Sequence, residues 1–314
     1  MGILYIDRKN IELRNEGKQL CIFNNGSRQG TIPLHLVERL VIHGQATLST
    51  AVLGSLVEQG IGLVVLSGRR SQRPAILQGR FHGDTRRRLQ QYRWYSEPES
   101  RLQWSNRLVR LKLLSQSRTL QKAQRIRPDC RKALFDGSEF IQSVLRQLKS
   151  GGHSIESLKG LEGAAAAGYF SALTKLFPET IGFQGRNRRP PKDPVNSALS
   201  LAYTLLHFEA VNACFGAGLD PYIGFYHDPA YNRESLASDL IEPLRARVDY
   251  WIWRLFAERT LTAEHFSMRD GACLFSKSAR QIFYPRYEVF ARPLRRLLRR
   301  YALVVARNLA EDSQ

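Results

Sequence analysis

The chain is organised around residues 224–245, which read GFYHDPAYNRESLASDLIEPLR. This stretch places His227 on a loop and then Asp239 and Glu242 on an apolar helix that follows an N-capping Ser235. Residues three apart share one face of a helix, so we expect the two carboxylates to point the same way. Carboxylate oxygens together with an imidazole nitrogen suit a transition metal such as Mn²⁺. A structural histidine beside a capped helix gives the same pattern, and this stretch alone leaves both interpretations open.

Composition and charge limit the classes of function that this chain can have. Its 314 residues are enough for two domains, and 43% of them are hydrophobic, which is enough to fill a core. The formal net charge of +19 predicts a polyanionic partner, of which nucleic acid is the commonest. The four cysteines lack metal-binding spacing and indicate reduced thiols in a cytoplasmic protein. We see neither a signal-peptide pattern nor an uncharged apolar run long enough to cross a membrane.

The first eighty residues have the pattern of a small β-domain. Short apolar or alternating runs are separated by turn signals, as is typical of a sandwich, and residues 49–59 have the pattern of one capped helix. The stretch from Gly68 to Gly83 is rich in Gly, Pro and Arg and is interpreted as a linker. Helical periodicity then continues almost to the end, and it includes a strongly apolar core helix at residues 196–214 and a further amphipathic helix at residues 247–258. The sequence therefore predicts a two-domain α+β protein, with a β-sandwich-like domain and linker at residues 1–80 and a larger all-helical domain at residues 81–314.

Basic segments of the predicted helical domain fit contact with phosphates. The helix Leu102–Gln124 and the last helix, residues 278–308, carry arginines among leucines, and Arg186–Pro194 is a basic loop stiffened by prolines. Each segment is equally compatible with an ordinary solvated face or connector. Glu162 is expected in the first turn of a helix of small residues. Its carboxylate there either complements the helix N-terminus or belongs to a buried site.

Three motifs in a fixed order make a more specific pattern than any one segment. They are LEGAAAAGYF at residues 161–170, RRPPKDPVNSALS at 188–200 and HDPAYNRESLASDLIEPLR at 227–245. This order resembles the CRISPR-associated (Cas) proteins numbered one, the metal-dependent endonuclease and integrase family of spacer acquisition. The resemblance extends over essentially the whole chain. One departure is the run of small residues near Ala167, where many relatives carry an arginine, and this puts one auxiliary phosphate contact in doubt.

The resemblance implies a metal site and a reaction. The metal ligands of the family fall here on Glu162, His227 and Glu242, and Asp239 matches a further acidic position of the active site. The implied ion is Mn²⁺ or Mg²⁺, and the implied reaction is attack of a DNA 3′-hydroxyl on a phosphodiester at the edge of a CRISPR repeat. Water in place of the hydroxyl makes the same site an endonuclease. Asp239 is expected either to orient His227 or to hold a water near the ion.

The resemblance also implies partners. These are double-stranded DNA, as protospacer and as repeat, a second copy of the chain that forms a homodimer through the N-terminal domain, and a small ferredoxin-like CRISPR-associated protein. No membrane is expected. Three alternatives stay open from the sequence: an integrase of a mobile element, a repair nuclease acting on branched DNA, and a non-catalytic architectural DNA-binding protein.

Overall fold

A computed structural model describes residues 2–66, 75–77, 82–187 and 190–311 of the protein. The chain forms two compact units, with the boundary between residues 81 and 82. Strands dominate the first unit and helices dominate the second. The predicted order of a strand-rich N-terminal part and a helical C-terminal part is confirmed.

The described residues of the first unit form two four-stranded sheets and one α-helix. Its elements are β1 (Gly2–Ile6), β2 (Ile11–Glu16), β3 (Gln19–Asn24), β4 (Ser27–Pro33), β5 (Val37–His43), β6 (Ala46–Leu48), α1 (Thr50–Glu58), β7 (Gly62–Leu66) and β8 (Ala75–Leu77). One sheet has the order β1-β5-β7-β8, with its first three strands parallel. The other has the order β4-β3-β2-β6, in which β2, β3 and β4 form an antiparallel meander.

Local sequence explains the turns and the core of this unit. Asn25 and Gly26 adopt positive φ between β3 and β4, which is the conformation that an Asn-Gly hairpin turn requires. The Ser49 hydroxyl accepts a hydrogen bond from the backbone N–H of Val52 and so caps α1 as predicted. Apolar side chains of both sheets and of α1 share one hydrophobic cluster, which includes Ile6, Leu13, Leu20, Leu40, Ile42, Val52, Leu56 and Leu63.

Two features of this unit differ from the sequence prediction. Strand β6 was not predicted, since three residues are too few to show an alternating pattern. The predicted linker from Gly68 to Gly83 lies mostly outside the described residues. Its described part, Ala75–Leu77, is strand β8, which pairs antiparallel with β7 and therefore belongs to the sheet.

The second unit is built from seven helices and one hairpin within its described residues. These are α2 (Arg86–Ser96), α3 (Pro98–Ile126), α4 (Arg131–Lys149), α5 (Ile155–Thr174), α6 (Pro194–Ala217), α7 (Ser235–Ala257), β9 (Phe266–Arg269), β10 (Ala272–Phe275) and α8 (Lys277–Glu311). Helix α3 packs against α4, α5 and α7, and α6 packs against α7 and α8. The hairpin β9–β10 was not predicted, because strands of four residues are too short to show an alternating pattern.

Helices α4 and α5 approach closely where each has a glycine. A Cβ atom on Gly137 would lie 2.7 Å from the Cβ of Ala172, and one on Gly168 would lie 2.8 Å from the ring of Phe140. Such distances leave no space for a methyl group. The small residues of α5 therefore serve close helix packing, as expected from the sequence.

Helix boundaries correct three sequence predictions. Helix α7 runs unbroken from Ser235 to Ala257, whereas the pattern from Arg247 to Glu258 suggested a separate helix. Ser235 is not the N-cap, because its hydroxyl donates to the carbonyl of Asp228 and the cap position belongs to Glu234. Helix α5 begins at Ile155, so Glu162 lies inside the helix and not in its first turn.

Helix α6 is long and apolar enough to cross a membrane by length and composition. Two-thirds of its most apolar window is buried inside the protein. A core helix of a folded domain has these properties, and the sequence prediction of a core helix at this place is consistent with the burial.

Candidate metal centre

Two carboxylates from different helices converge on one ammonium group. Glu162 projects from α5, Glu242 from α7 and Lys112 from α3. The Lys112 Nζ lies 2.5 Å from Oε1 of Glu162 and 2.5 Å from Oε2 of Glu242. The structure therefore brings together two of the three predicted metal ligands around the position of a single cation.

Glu242 is held as an anion in a buried position. Its side chain is 6% exposed, and the Arg245 Nε donates to its Oε1 at 2.8 Å. Burial raises the pKa of Glu242, but the charges of Arg245, Lys112 and His227 outweigh burial and hold this pKa well below its usual range. The other oxygen, Oε2, has the ion contact to Lys112 but no hydrogen-bond partner of good geometry among the described residues. An oxygen of this kind suits a cation.

The charge of Lys112 is maintained by the same two acids. Burial lowers the pKa of this ammonium, and the charges of Glu242 and Glu162 overcome burial and raise the pKa above its ordinary value. Tyr226 adds a further contact, since its hydroxyl donates to Oε2 of Glu162 at 3.4 Å. Burial, followed by the charge of Glu162, raises the pKa of Tyr226 well above its ordinary value, so this hydroxyl keeps its proton and donates a hydrogen bond at neutral pH.

Asp239 fixes the loop that carries His227. Its Oδ2 accepts the backbone N–H groups of Phe225 at 2.7 Å and Tyr226 at 3.0 Å. Its Oδ1 accepts the backbone N–H of His227 at 3.1 Å and lies 2.7 Å from the imidazole Nδ1. The carboxylate is thus surrounded by four donors from one loop. It points to the loop and not to the cation position between Glu162 and Glu242.

The loop lies so close to α7 that only glycine fits at position 224. A Cβ there would lie 2.7 Å from the backbone carbon of Ser235 and 2.8 Å from Oδ2 of Asp239. On its other side the carbonyl of Phe225 accepts hydrogen bonds from the Arg101 Nε at 2.9 Å and the Ser105 hydroxyl at 3.1 Å. Helices α3 and α7 therefore hold the backbone of this loop from two directions.

The structure orients the ring of His227, but it does not bring this ring together with Glu162 and Glu242 into a cluster of three ligands. With Nδ1–H donated to Asp239, the lone pair of the ring lies on Nε2, the nitrogen that a metal needs. His227 is near enough to Glu242 to lower the pKa of that carboxyl. Over the described ranges, no three His, Cys, Asp or Glu side chains meet at metal-holding spacing.

A cavity of about 430 Å³ opens beside the two carboxylates. Its lining combines the acidic pair with basic and polar groups: Lys112, Gln116, Glu162, Ala166, Ala167, Phe170, Arg186, Tyr203, Glu242 and Arg245. The Oε1 of Gln116 is buried and has no hydrogen-bond partner among the described residues. Glu162 and Glu242 lie at one place in this lining, and the guanidinium groups of Arg186 and Arg245 lie at another. The cavity therefore fits a negatively charged ligand that a cation bridges to the two acids.

A buried acid supports the part of this cavity that Arg186 and Arg245 line. Asp249 of α7 accepts hydrogen bonds from the hydroxyls of Tyr169, at 2.9 Å, and Tyr203. The Tyr203 ring lies against the guanidinium groups of Arg245, at 4.7 Å, and Arg186, at 5.2 Å. Burial raises the pKa of Asp249 to about 6, against the opposing hydrogen bonds from the two tyrosines.

The sequence interpretation missed several of these residues. Lys112, Gln116, Tyr203 and Asp249 lie in helices that read as ordinary amphipathic or core segments. A signal existed for Asp249, because with Asp239, Glu242 and Arg245 it completes a spacing of three, three and four along α7. Such a spacing keeps these four charged groups on one face of the helix.

Matches to known proteins decide the family. A family model described as CRISPR-associated protein Cas1 matches residues 4–289. The chain belongs to the Cas1 family. A CRISPR-associated endonuclease Cas1 of Thermodesulfovibrio yellowstonii is 37% identical over 315 aligned residues, covering 99% of this chain and 98% of the relative. Another from Thermus thermophilus is 33% identical over 282 residues, covering 89% of this chain and 81% of the relative. The resemblance inferred from the three motifs is thereby confirmed.

Solved structures show the Cas1 fold over the whole length. A Cas1 protein of Thermotoga maritima superimposes with a TM-score of 0.85 at 21% identity, covering 99% of this chain and 97% of that chain. A casposase bound to integration product gives a TM-score of 0.82 at 19% identity, covering 98% and 91%. At these identities the likeness concerns the fold.

Proposed function

We propose that this Cas1-family protein is a metal-dependent DNA endonuclease and integrase that inserts new spacers into a CRISPR array. The observation that carries this function is the convergence of Glu162 and Glu242 on one cation position, beside the loop of His227. The relatives at 37% and 33% identity are named CRISPR-associated endonucleases. The net charge of +19 supports binding to a DNA substrate.

Mn²⁺ or Mg²⁺ is the proposed ion, with Glu162, Glu242 and His227 as its ligands. Two carboxylates and an imidazole form a donor set that suits Mn²⁺, and Mg²⁺ accepts the carboxylates with water completing its shell. The buried Oε2 of Glu242, which has a cation but no proper hydrogen bond, supports the fit. When bound, such an ion lowers the pKa of an attacking hydroxyl and offsets charge on the phosphate.

The side chains of the site have distinct roles in this proposal. Asp239 holds the proton on Nδ1 of His227 and keeps Nε2 available. The Tyr226 hydroxyl orients Glu162. Arg186 and Arg245 line the cavity and place positive charge where a DNA phosphate would enter. Attack of a DNA 3′-hydroxyl on the target phosphodiester would form a new P–O bond and break the existing one, so that the incoming strand is joined and the displaced strand leaves with a free 3′-hydroxyl. Attack of water on the same phosphorus would break that bond without joining a strand.

Partners and domain roles belong to the same proposal. We expect double-stranded DNA, as protospacer and repeat, a homodimer formed by the β-rich unit at residues 1–80, and a small ferredoxin-like CRISPR-associated protein. The two sheets with one shared core support a β-sandwich-like first domain. Fold neighbours include a Cas6-RT-Cas1–Cas2 complex and a Cas1–DNA complex. A cytoplasmic location stays a prediction, in keeping with four free cysteines.

An integration assay with matched variants tests the metal centre. Glu162→Ala and His227→Ala should reduce Mn²⁺-dependent joining of a DNA duplex to a repeat-bearing target to background, while DNA affinity stays close to that of the wild type. Glu156→Ala, an exposed acid on the same helix, is the control and should join DNA normally. If the site variants lose folding and DNA binding together, these residues are structural and the proposed centre is wrong.

The same assay separates the other candidate functions. An architectural DNA-binding protein would be indifferent to a chelator. A branched-DNA repair nuclease would hydrolyse flaps and junctions faster than it joins strands at a repeat. The relatives are named CRISPR-associated endonucleases, which favours a CRISPR-associated role over a mobile-element integrase, and a preference for repeat-bearing targets would agree with that role.

A further inference from the structure

Lys112 occupies the point at which a metal ion would touch both glutamates. It reaches this point from α3, a helix that carries none of the proposed ligands. Its side chain is 14% exposed, and its Nζ is equally distant, at 2.5 Å, from Oε1 of Glu162 and Oε2 of Glu242. No pattern in the sequence singles out this lysine, because a basic residue on a long amphipathic helix is usually solvated.

An ion and this ammonium group exclude each other. The two carboxylate oxygens share one nitrogen neighbour at 2.5 Å, so they lie no more than about 5 Å apart. A divalent ion bound to both oxygens at about 2.0–2.2 Å would sit within the volume that the ammonium now fills. Repulsion between a divalent and a monovalent cation at such a distance in a buried site is strong.

We propose that Lys112 is an internal counter-cation, which holds the metal position in the metal-free protein and is displaced into the adjacent cavity when the ion binds. This inference rests on the proposed metal centre. Two acids that face each other in a largely buried site are costly without a cation between them. Lys112 supplies that cation and keeps the two glutamates in place for the ion.

The displaced ammonium has room and an acceptor nearby. The cavity of about 430 Å³ includes Lys112 in its lining, and a lysine stem of four methylenes can swing into it. Gln116 lies four residues further along α3 and therefore on the same face. Its buried Oε1 has no hydrogen-bond partner among the described residues, so it can accept the ammonium. Lys112 then adds a positive charge to the cavity wall that Arg186 and Arg245 also line.

The exchange has a consequence for DNA binding. A phosphate in the cavity stabilises the displaced form of Lys112, and the displaced form leaves the metal position open. The phosphate and the ion should therefore strengthen each other's binding by the same factor. Metal affinity measured with a DNA duplex present should exceed the affinity measured without it.

Metal titration of variants tests the exclusion directly. Binding of Mn²⁺ to the DNA-free protein is measured by calorimetry for the wild type, Lys112→Met, Lys112→Gln and the control Lys122→Met, an exposed lysine of the same helix. Either Lys112 variant should bind Mn²⁺ about tenfold more tightly, and its metal-free melting temperature should be lower. Lys122→Met should match the wild type in both. Unchanged or weaker Mn²⁺ binding by a folded Lys112 variant overturns the proposal.

A second measurement uses the unaltered chain and does not depend on how the variants fold. Amine-reactive labelling, read by mass spectrometry, reports how accessible the Lys112 nitrogen is. Saturating Mn²⁺ should increase labelling of Lys112 several-fold and leave Lys122 unchanged. Equal labelling of Lys112 with and without Mn²⁺ shows that the ammonium stays in place and overturns the proposal.

The two proposals fail in different ways. If the wild type does not bind Mn²⁺, or if His227→Ala binds it as tightly as the wild type does, the metal centre itself is wrong. The role of Lys112 then fails with it. If the wild type binds Mn²⁺ through His227 but Lys112→Met binds it no more tightly, the metal centre stands and the counter-cation alone is wrong.

Discussion

We propose that Asp239 acts on the metal centre through His227. All four donors around its carboxylate come from residues 225–227, which leaves no oxygen directed at the cation position. The histidine receives both its orientation and its tautomer from this one acid. These four hydrogen bonds support the proposal that Asp239 orients His227 and does not itself bind the ion.

Asp239→Asn should weaken Mn²⁺ binding by about 10–100-fold without unfolding the protein. The amide nitrogen would face hydrogen-bond donors whichever way the side chain turned, so the loop would lose two acceptor contacts. Calorimetry with Mn²⁺ measures the effect, and thermal melting checks the fold. Asp270→Asn, at an exposed hairpin tip, should leave both quantities unchanged. Equal Mn²⁺ affinity in Asp239→Asn would contradict the positioning role.

The raised pKa of Asp249 predicts that the folding stability of the protein depends on pH. Folding raises its pKa from 3.8 to about 6, so the folded state binds the proton more tightly than the unfolded state does. The stability of the wild type relative to Asp249→Asn should therefore be highest below about pH 4, fall by up to about 3 kcal/mol as the pH rises to 6, and then level off. Denaturant unfolding of both proteins across this range measures the difference. A flat difference would show that Asp249 does not titrate there.

At the residue scale the sequence predicted those site residues that belong to ordered motifs. The motifs predicted Glu162, Glu242 and His227, and the structure places the first two against the ammonium group of Lys112. Lys112 and Gln116 were not found, because their roles depend on the packing of α3 against α5 and α7. Long-range packing of this kind leaves no spacing signal in one sequence.

At the scale of elements, the packing of α4 on α5 gives a pair of opposite predictions. Gly137→Ala should destabilise the protein by about 1–3 kcal/mol, because its Cβ would lie 2.7 Å from that of Ala172. Gly160→Ala, on α5 with open space around it, should be neutral or stabilising by up to about 1 kcal/mol. Thermal or denaturant unfolding measures both changes. Destabilisation of similar size in both variants would point to backbone effects and not to helix contact.

Long helices and capped helices were predicted better than short strands and helix ends. Periodicity located α1, α6 and α8, whereas β6 and the β9–β10 hairpin were too short to show a pattern. Helix α7 was divided in two, since its polar face interrupts the apolar repeat near Arg247. The division failed because the fold buries Glu242 and Asp249 with partners from other helices, namely Lys112 for Glu242 and Tyr169 for Asp249.

At the scale of the whole molecule, net charge governs how the protein meets DNA. A chain with a formal charge of +19 should bind duplex DNA mainly through phosphates. We expect its affinity to fall by about 10³-fold or more between 50 and 200 mM salt, with a similar slope for Glu162→Ala. Fluorescence anisotropy over a salt series measures this slope. A shallow slope would indicate that base contacts or apolar contacts dominate.

Helix α7 carries Asp239, Glu242, Arg245 and Asp249 in one fixed register. Insertion of a single residue between any two of them would turn every later side chain by about 100° around the helix. Length changes between Asp228 and Glu234, ahead of the helix, have no such effect. Chimaeras between relatives should therefore exchange residues 235–249 as one uninterrupted block, and evolution should add or remove residues before this block and never within it.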